Sequence, residues 1–358
     1  LAIQPRDHDL VLATHGRGIW IVDDITPWRQ LTADLSRAEA AFISARPTEQ
    51  RIEATGGWPA GAAAFSGQNP PDGAVITYYQ SHRHLFGKLK LEILDSSGAV
   101  IDELAGSTRR GLNRVVWSMH LKPPHVPPAV QLAGSGAQGP RTLPGTYTVR
   151  LEKNGKSYET PLTIELDRRV KWTLADRRAQ FDAAMKVYTL FNDESQLFAR
   201  IAGLREQIKA ADKDRVAKDP VHRQLTEFDG KLDELRKRIV ATTEGGAITG
   251  EERLREHTDQ LYGAINSWDG PPSAYLIDNT TALRAEQTDL ESQFERLTTN
   301  RLPAINKALQ THGGQALSIP APVAFEDEAP GGSAARPTSH DPDAPVRVSL
   351  PRNMRLWN

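Results

Sequence analysis

The hydrophobic pattern of this chain changes period once along its length, and that change restricts it to architectures in which strands and helices are segregated. Up to about residue 166, apolar and polar residues alternate. Leu89, Leu91 and Ile93 share one face while Lys88, Lys90 and Glu92 share the other, and Tyr147, Val149 and Leu151 repeat the pattern opposite Thr148, Arg150 and Glu152. From about residue 173 the apolar spacing becomes three and four. Leu197, Ile201, Leu204 and Ile208 form one such stripe, and Leu225, Phe228, Leu232, Leu235 and Ile239 form another. The expected class is α+β and multidomain: strands first, helices after.

Four segments follow from this reading. Residues 1–44 hold a hairpin and a connector. Its strands are Leu10 to Ala13 and Ile19 to Val22, joined by Thr14-His15-Gly16-Arg17-Gly18, where Gly16 and Gly18 can supply positive φ. An isolated hairpin is marginal in water, and Leu1 is not a methionine. The chain is therefore expected to be the C-terminal part of a longer protein whose upstream strands the hairpin completes.

Residues 45–166 read as a β-sandwich. Strands are expected at Ala74 to Tyr79, Lys88 to Leu94, Val100 to Leu104, Asn113 to Met119, Gly145 to Lys153 and Ser157 to Glu165. Asp95-Ser96-Ser97-Gly98 and Lys153-Asn154-Gly155-Lys156 have turn chemistry. The Gly- and Pro-rich stretch from His120 to Pro144 is expected to be a long surface loop.

Residues 167–313 read as four helices packed into a bundle. Thr173 and Asp176 have capping-box spacing, and Asp219-Pro220 is a cap followed by an N1 proline. A third helix is expected to open at Thr249-Gly250-Glu251-Glu252. Leu283, Leu290, Phe294 and Leu297 mark a fourth, which Pro303 would kink or end. Residues 314–358 read as a flexible tail whose last residues, with Leu350, Met354, Leu356 and Trp357, could dock as a clasp.

Composition excludes several classes of function. A formal net charge of -1 gives no reason to expect nucleic acid or an anionic membrane as partner. No apolar run approaches the ~20 residues of a membrane span. The absence of cysteine rules out disulfides, thiol nucleophiles and thiolate-bound zinc within this chain.

Several blocks together resemble a known family. Asp9-Leu10-Val11-Leu12-Ala13-Thr14-His15-Gly16-Arg17-Gly18-Ile19-Trp20-Ile21-Val22-Asp23-Asp24-Ile25 looks like a closing propeller blade. Asn69-Pro70-Pro71-Asp72-Gly73-Ala74-Val75-Ile76-Thr77-Tyr78-Tyr79, Gly111-Leu112-Asn113-Arg114-Val115-Val116-Trp117 and Leu143-Pro144-Gly145-Thr146-Tyr147-Thr148-Val149-Arg150-Leu151 continue the likeness. The chain resembles the C-terminal region of large bacterial sortilin-like (Vps10-type) propeller proteins built from BNR repeats. The last two blocks also resemble immunoglobulin-like modules.

The resemblance implies a propeller-closing hairpin, an immunoglobulin-like sandwich, an upstream propeller in the same polypeptide and a secreted or periplasmic location. Members are often labelled glycosyl hydrolases, but no Ser-x-Asp-x-Gly-x-x-Trp box occurs here, so no catalytic residue carries over. The expected function is a non-catalytic accessory region that supports protein–protein assembly, with a protein partner on the helical bundle. The alternatives are a glycoside hydrolase whose active site lies in the upstream propeller, and a carbohydrate-binding module.

Few residues suggest chemistry. Trp58, Tyr78 and Tyr79, with Phe65, could form a carbohydrate-stacking platform, although aromatics in alternating strands also read as core. His82 and His84 could bind a metal or anion, but two histidines at this spacing make weak ligands where zinc takes three or four. Asp23 and Asp24 are adjacent on a strand end, so their side chains diverge, whereas glycoside hydrolysis needs two facing acids. One of them is expected to cap the following turn or to meet Arg17 or Arg29. No nucleophile elbow, phosphate loop or dinucleotide fingerprint occurs, and the sequence calls for no catalytic residue, metal or cofactor.

Overall fold

A computed structural model of the chain describes residues 1–52, 71–216, 218–243 and 250–323. The fold is α+β, with mixed sheets and several helices. Strands β1 (Ala2–Ile3), β2 (Leu10–Ala13) and β3 (Ile19–Val22) form a small antiparallel sheet in that order. The β2–β3 turn differs from the expected one. Arg17, between the two glycines, takes the left-handed backbone (φ 63), while Thr14 N–H donates to Gly18 O (2.9 Å) and Arg17 N–H to Thr14 O (3.2 Å). This is a tight turn closed by one left-handed residue. Two short helices follow, α1 (Thr26–Arg29) and α2 (Ala33–Arg37).

Eight further strands build two facing sheets. They are β4 (Ala40–Ile43), β5 (Thr48–Gln50), β6 (Ala74–Gln80), β7 (Leu89–Leu94), β8 (Val100–Ala105), β9 (Gly111–Trp117), β10 (Gly145–Lys153) and β11 (Lys156–Leu166). One sheet runs β4-β6-β9 and the other β5-β11-β10-β7-β8, with β5 parallel to β11. The alternation predicted for β7 and β10 turns Leu91, Ile93, Val149 and Leu151 inward, where they meet Ile76, Tyr78 and Trp117 from the other sheet. Each such buried side chain stabilises the fold by roughly 1.5–3 kcal/mol. Asn154 and Gly155 are both left-handed (φ 52 and 74), which the tight β10–β11 hairpin requires. Ala40 pairs with Gln80, so β4 belongs to the sheet and the strand-rich unit begins before the expected boundary at residue 45.

The helices are α3 (Leu174–Asp212), α4 (Pro220–Ile239), α5 (Leu254–Asn266) and α6 (Ala274–Thr311). Thr173 and Asp176 cap α3 reciprocally, and Asp219 accepts from Val221 N–H (2.8 Å) ahead of Pro220 in α4. The stripes from Leu197 to Ile208 and from Leu225 to Ile239 bury against each other and against Leu290, Phe294, Ile305 and Leu309 of α6. A second core joins Ala184, Val187 and Phe191 to Leu261, Tyr262 and Ile265.

Three expectations need correction here. Of the kink or end expected at Pro303, the end does not occur: α6 continues past it, and Ile305 and Leu309 beyond it are buried, their packing offsetting the lost backbone bond. The third helix opens at Leu254. Glu251 instead accepts from Thr242 N–H (2.8 Å) and Thr243 N–H (3.3 Å), which closes the approach to α5. Residues 314–323, assigned to the tail, lie along the helices. Leu317 is buried, Gln207 exchanges hydrogen bonds with Ser318, and Gln196 does so with Val323. The expected clasp around Val346 to Trp357 lies outside the described residues.

Candidate functional site

The candidate residues read from sequence do not converge on one site. Tyr78 is buried in the sandwich, edge-on to Phe42 (6.2 Å between ring centres), and its hydroxyl donates to Ser107 O (2.8 Å). Burial pushes that hydroxyl up to about 12. Tyr79, one residue on, faces the other way and donates to Ser36 O (3.2 Å). The stacking platform therefore does not form from this pair, and Trp58 and Phe65 lie outside the described residues.

His84 is buried and serves its own turn: its N–H donates to Thr108 O (2.9 Å) and its ring Nε2 lies 3.1 Å from Gly87 O. His82 is exposed, with Nδ1 2.9 Å from Ser81 Oγ. Both line an open depression of about 430 Å³ with Glu39, Arg83 and Lys153. Glu39 takes hydrogen bonds from Lys156 Nζ (2.7 Å) and Asn154 Nδ2 (3.3 Å), which hold its carboxyl below the usual range. Among the described residues no second acid lines the depression, so they do not make the two-carboxylate arrangement of glycoside hydrolysis there. Among the described residues no group of three or more His, Asp or Glu is placed to hold a metal ion.

The N-terminal sheet exposes three consecutive large apolar side chains. Ile19 (73% exposed) and Ile21 (59%) project from one face of β3, and Trp20 (60%) projects from the other. A strand that is apolar on both faces has the pattern of one buried on both faces, and here it lies at the edge of its sheet. The base of the sheet is tied to the sandwich by polar contacts. Arg114 Nη2 donates to Asp24 O (3.1 Å), Arg46 Nη1 donates to Arg6 O (2.6 Å), and Arg46 Nε lies 3.5 Å from Asp24. Asp24 Oδ1 also accepts from Thr26 N–H (3.0 Å), the expected turn cap; its arginine neighbour is Arg46 rather than Arg17 or Arg29. Burial first, then the nearby Asp9, raise the Asp23 carboxyl.

A polar junction that the sequence reading missed joins the sandwich to the helices. Arg177 of α3 is 1% exposed; its Nε donates to Gln50 Oε1 (3.2 Å) and its Nη2 to Arg141 O (2.7 Å) and Thr142 O (3.1 Å), while Nη1 donates to Gln180. Gln50 Nε2 donates to Thr142 O (2.9 Å) and Gln180 Nε2 to Ile265 O (2.8 Å). Asp269 pairs with Arg141 and lies 3.7 Å from Arg177 Nε. Burial, and then the neighbouring Arg141, push the Arg177 guanidinium down to about 10.

The stretch from His120 to Pro144 is the other half of this junction and not a free surface loop. His125 O accepts from Ser195 Oγ (2.6 Å), Gly136 N–H donates to Asp259 Oδ1 (2.7 Å), and Gln138 O accepts from Tyr262 Oη (3.0 Å). Deeper among the helices, Glu194 is fully buried; Oε1 accepts from Thr258 Oγ1 (2.6 Å) and Oε2 has no partner among the described residues. Burial, outweighing the Thr258 hydrogen bond, pushes its carboxyl up to about 8. The signal for both groups was present in sequence: Arg177 and Gln180 precede Ala184, Val187 and Phe191 at helical spacing, and Glu194 continues that stripe toward Leu197 and Ile201.

Comparison with known proteins adds no relative: no family model matches the chain, and neither the curated proteins nor the solved structures provide a match. Among the described residues no helix is long and apolar enough to cross a membrane.

Proposed function

We propose that this chain is a non-catalytic accessory region of a larger, exported bacterial propeller protein of the sortilin-like BNR-repeat type. In this reading the N-terminal sheet belongs to the closing blade, the facing sheets form an immunoglobulin-like module, and the helical bundle braces that module. The observation that carries the reading is β3, which exposes Ile19 and Ile21 on one face and Trp20 on the other. Blades stacked around a propeller bury both faces of their strands. The helical stripes are consumed by packing on one another, so a protein partner on the helices would have to use their polar faces.

The test is the mass of the native protein in its source cell, by immunoblot and mass spectrometry. A mass well above that of these 358 residues is the expected result; a mass equal to it overturns the propeller-closing assignment. The same preparation assayed with chromogenic glycosides addresses the hydrolase alternative, which requires turnover by the complete protein and none by this chain.

A further inference from the structure

The two ends of the sandwich differ. One end carries the junction with the helices, through Gln50, Thr142 and Arg141. At the other end three connections converge: residues 81–88, residues 106–110 and the 153–156 hairpin. Strand register places them together, since Gln80 pairs with Gly111 and with Ala40, Lys153 with Leu89, and Lys90 with Ala105.

The 81–88 turn is fixed rather than loose. Ser81 N–H donates to Glu39 O (3.1 Å), His84 N–H donates to Thr108 O (2.9 Å), and Gly87 takes a left-handed backbone (φ 86). This framework holds Leu85 (67% exposed) and Phe86 (85% exposed) out at its tip. Basic residues surround them: Arg83, Lys88, Arg110 and Lys156 are exposed and Arg109 is half-buried. In the three connections and the adjoining strand start the one carboxylate is Glu39, already engaged by Lys156.

We infer that this end of the sandwich docks on an anionic bilayer surface, with Leu85 and Phe86 entering the headgroup–acyl boundary and the surrounding lysines and arginines meeting lipid phosphates. The inference does not depend on the propeller assignment. A net charge near zero over the chain does not argue against it, because the three connections themselves contain Arg83, Lys88, Arg109, Arg110, Lys153 and Lys156 and no Asp or Glu. Two protruding apolar side chains are far short of the roughly 800 Å² per partner of a stable protein interface. A bilayer accepts such a protrusion without a complementary pocket, and basic residues near its surface add attraction that falls with salt.

The experiment is co-sedimentation of the full chain with vesicles of phosphatidylcholine alone and of phosphatidylcholine with phosphatidylglycerol, at low and high salt. The expected result is binding to the anionic vesicles only, weakened by salt. Leu85→Ser with Phe86→Ser should reduce it about tenfold or more, given the apolar surface returned to water. Arg83→Glu with Lys88→Glu should reduce it to a similar degree, each basic residue accounting for about fivefold. All four positions are exposed, and an unchanged melting temperature identifies a folded variant. Three results overturn the inference: no binding to anionic vesicles, equal binding to neutral ones, or binding that survives loss of Leu85 and Phe86. Preference for soluble polyglutamate over vesicles would assign the surface to an acidic polypeptide instead.

Discussion

Replacing Glu194 by Gln should make the chain less sensitive to alkaline unfolding, by an amount the structure sets. The Glu194 carboxyl sits at about 8 in the folded protein against an ordinary 4.5, because burial disfavours its charged form. A raised carboxyl contributes its full stability below the unfolded value and loses it progressively as pH rises toward the folded value. Folding above pH 4.5 therefore requires the folded state to take up a proton that the unfolded chain has released. The penalty grows by about 1.4 kcal/mol per pH unit, reaching roughly 4 kcal/mol near pH 7.5 against about 1 kcal/mol near pH 5.

Glutamine keeps the shape and the Oε1 that accepts from Thr258, but its amide nitrogen replaces the unpartnered Oε2 and brings its own cost of about 1–3 kcal/mol. The absolute stability change is thus a difference of comparable terms, whereas its pH dependence belongs to ionisation alone. Urea unfolding of both proteins from about pH 5 to pH 7.5 should show Glu194→Gln gaining about 3 kcal/mol relative to the parent across that range. A stability difference that stays constant over the range would refute the reasoning, since it would mean that Glu194 is ionised when folded.

Other perturbations address the remaining contacts. Arg177→Ala removes the group that holds Gln50, Gln180 and two carbonyls, and should cost on the order of 3–5 kcal/mol; calorimetry should show the sandwich and helices melting as separate transitions where the parent melts as one. Gly139→Ala would put a Cβ 2.0 Å from Leu121 O and 2.3 Å from Lys122 O, so the His120–Pro144 stretch must shift, with about 1–3 kcal/mol or more lost in thermal unfolding. Ile21→Lys places a charge on the exposed face of β3 and should reduce concentration-dependent association of the isolated chain in light scattering, with its melting temperature unchanged. The Glu251 carboxyl is held down to about 2 by the Thr242 N–H and then Arg253, so its NMR titration should lie well below 4.5; what it contributes is present above 4.5 and lost as pH falls toward 2.

What the sequence determined by itself is local. The strand limits 10–13, 19–22 and 145–153 were legible because turn residues and alternation act within a few positions, and the caps at Thr173 and Asp219 because each reaches only two or three residues ahead. The apolar helical stripes were legible for the same reason, since their spacing reports a face before its partner is known. What decided the rest was contact between distant residues. Tyr78 reads as core from its alternating strand, but only the fold supplied Ser107, 29 positions on, to accept its hydroxyl, while Tyr79 is turned away by the pleat. The stretch from His120 to Pro144 has the composition of an exposed loop, yet it is bound by Ser195, Asp259 and Tyr262, which nothing in its own residues announces. Arg177 and Glu194 have the chemistry of surface residues and are buried because the stripes they occupy are covered. A charged side chain at an apolar position follows its helix inside, and the fold accommodates it by hydrogen bonding Arg177 and by holding the proton on Glu194.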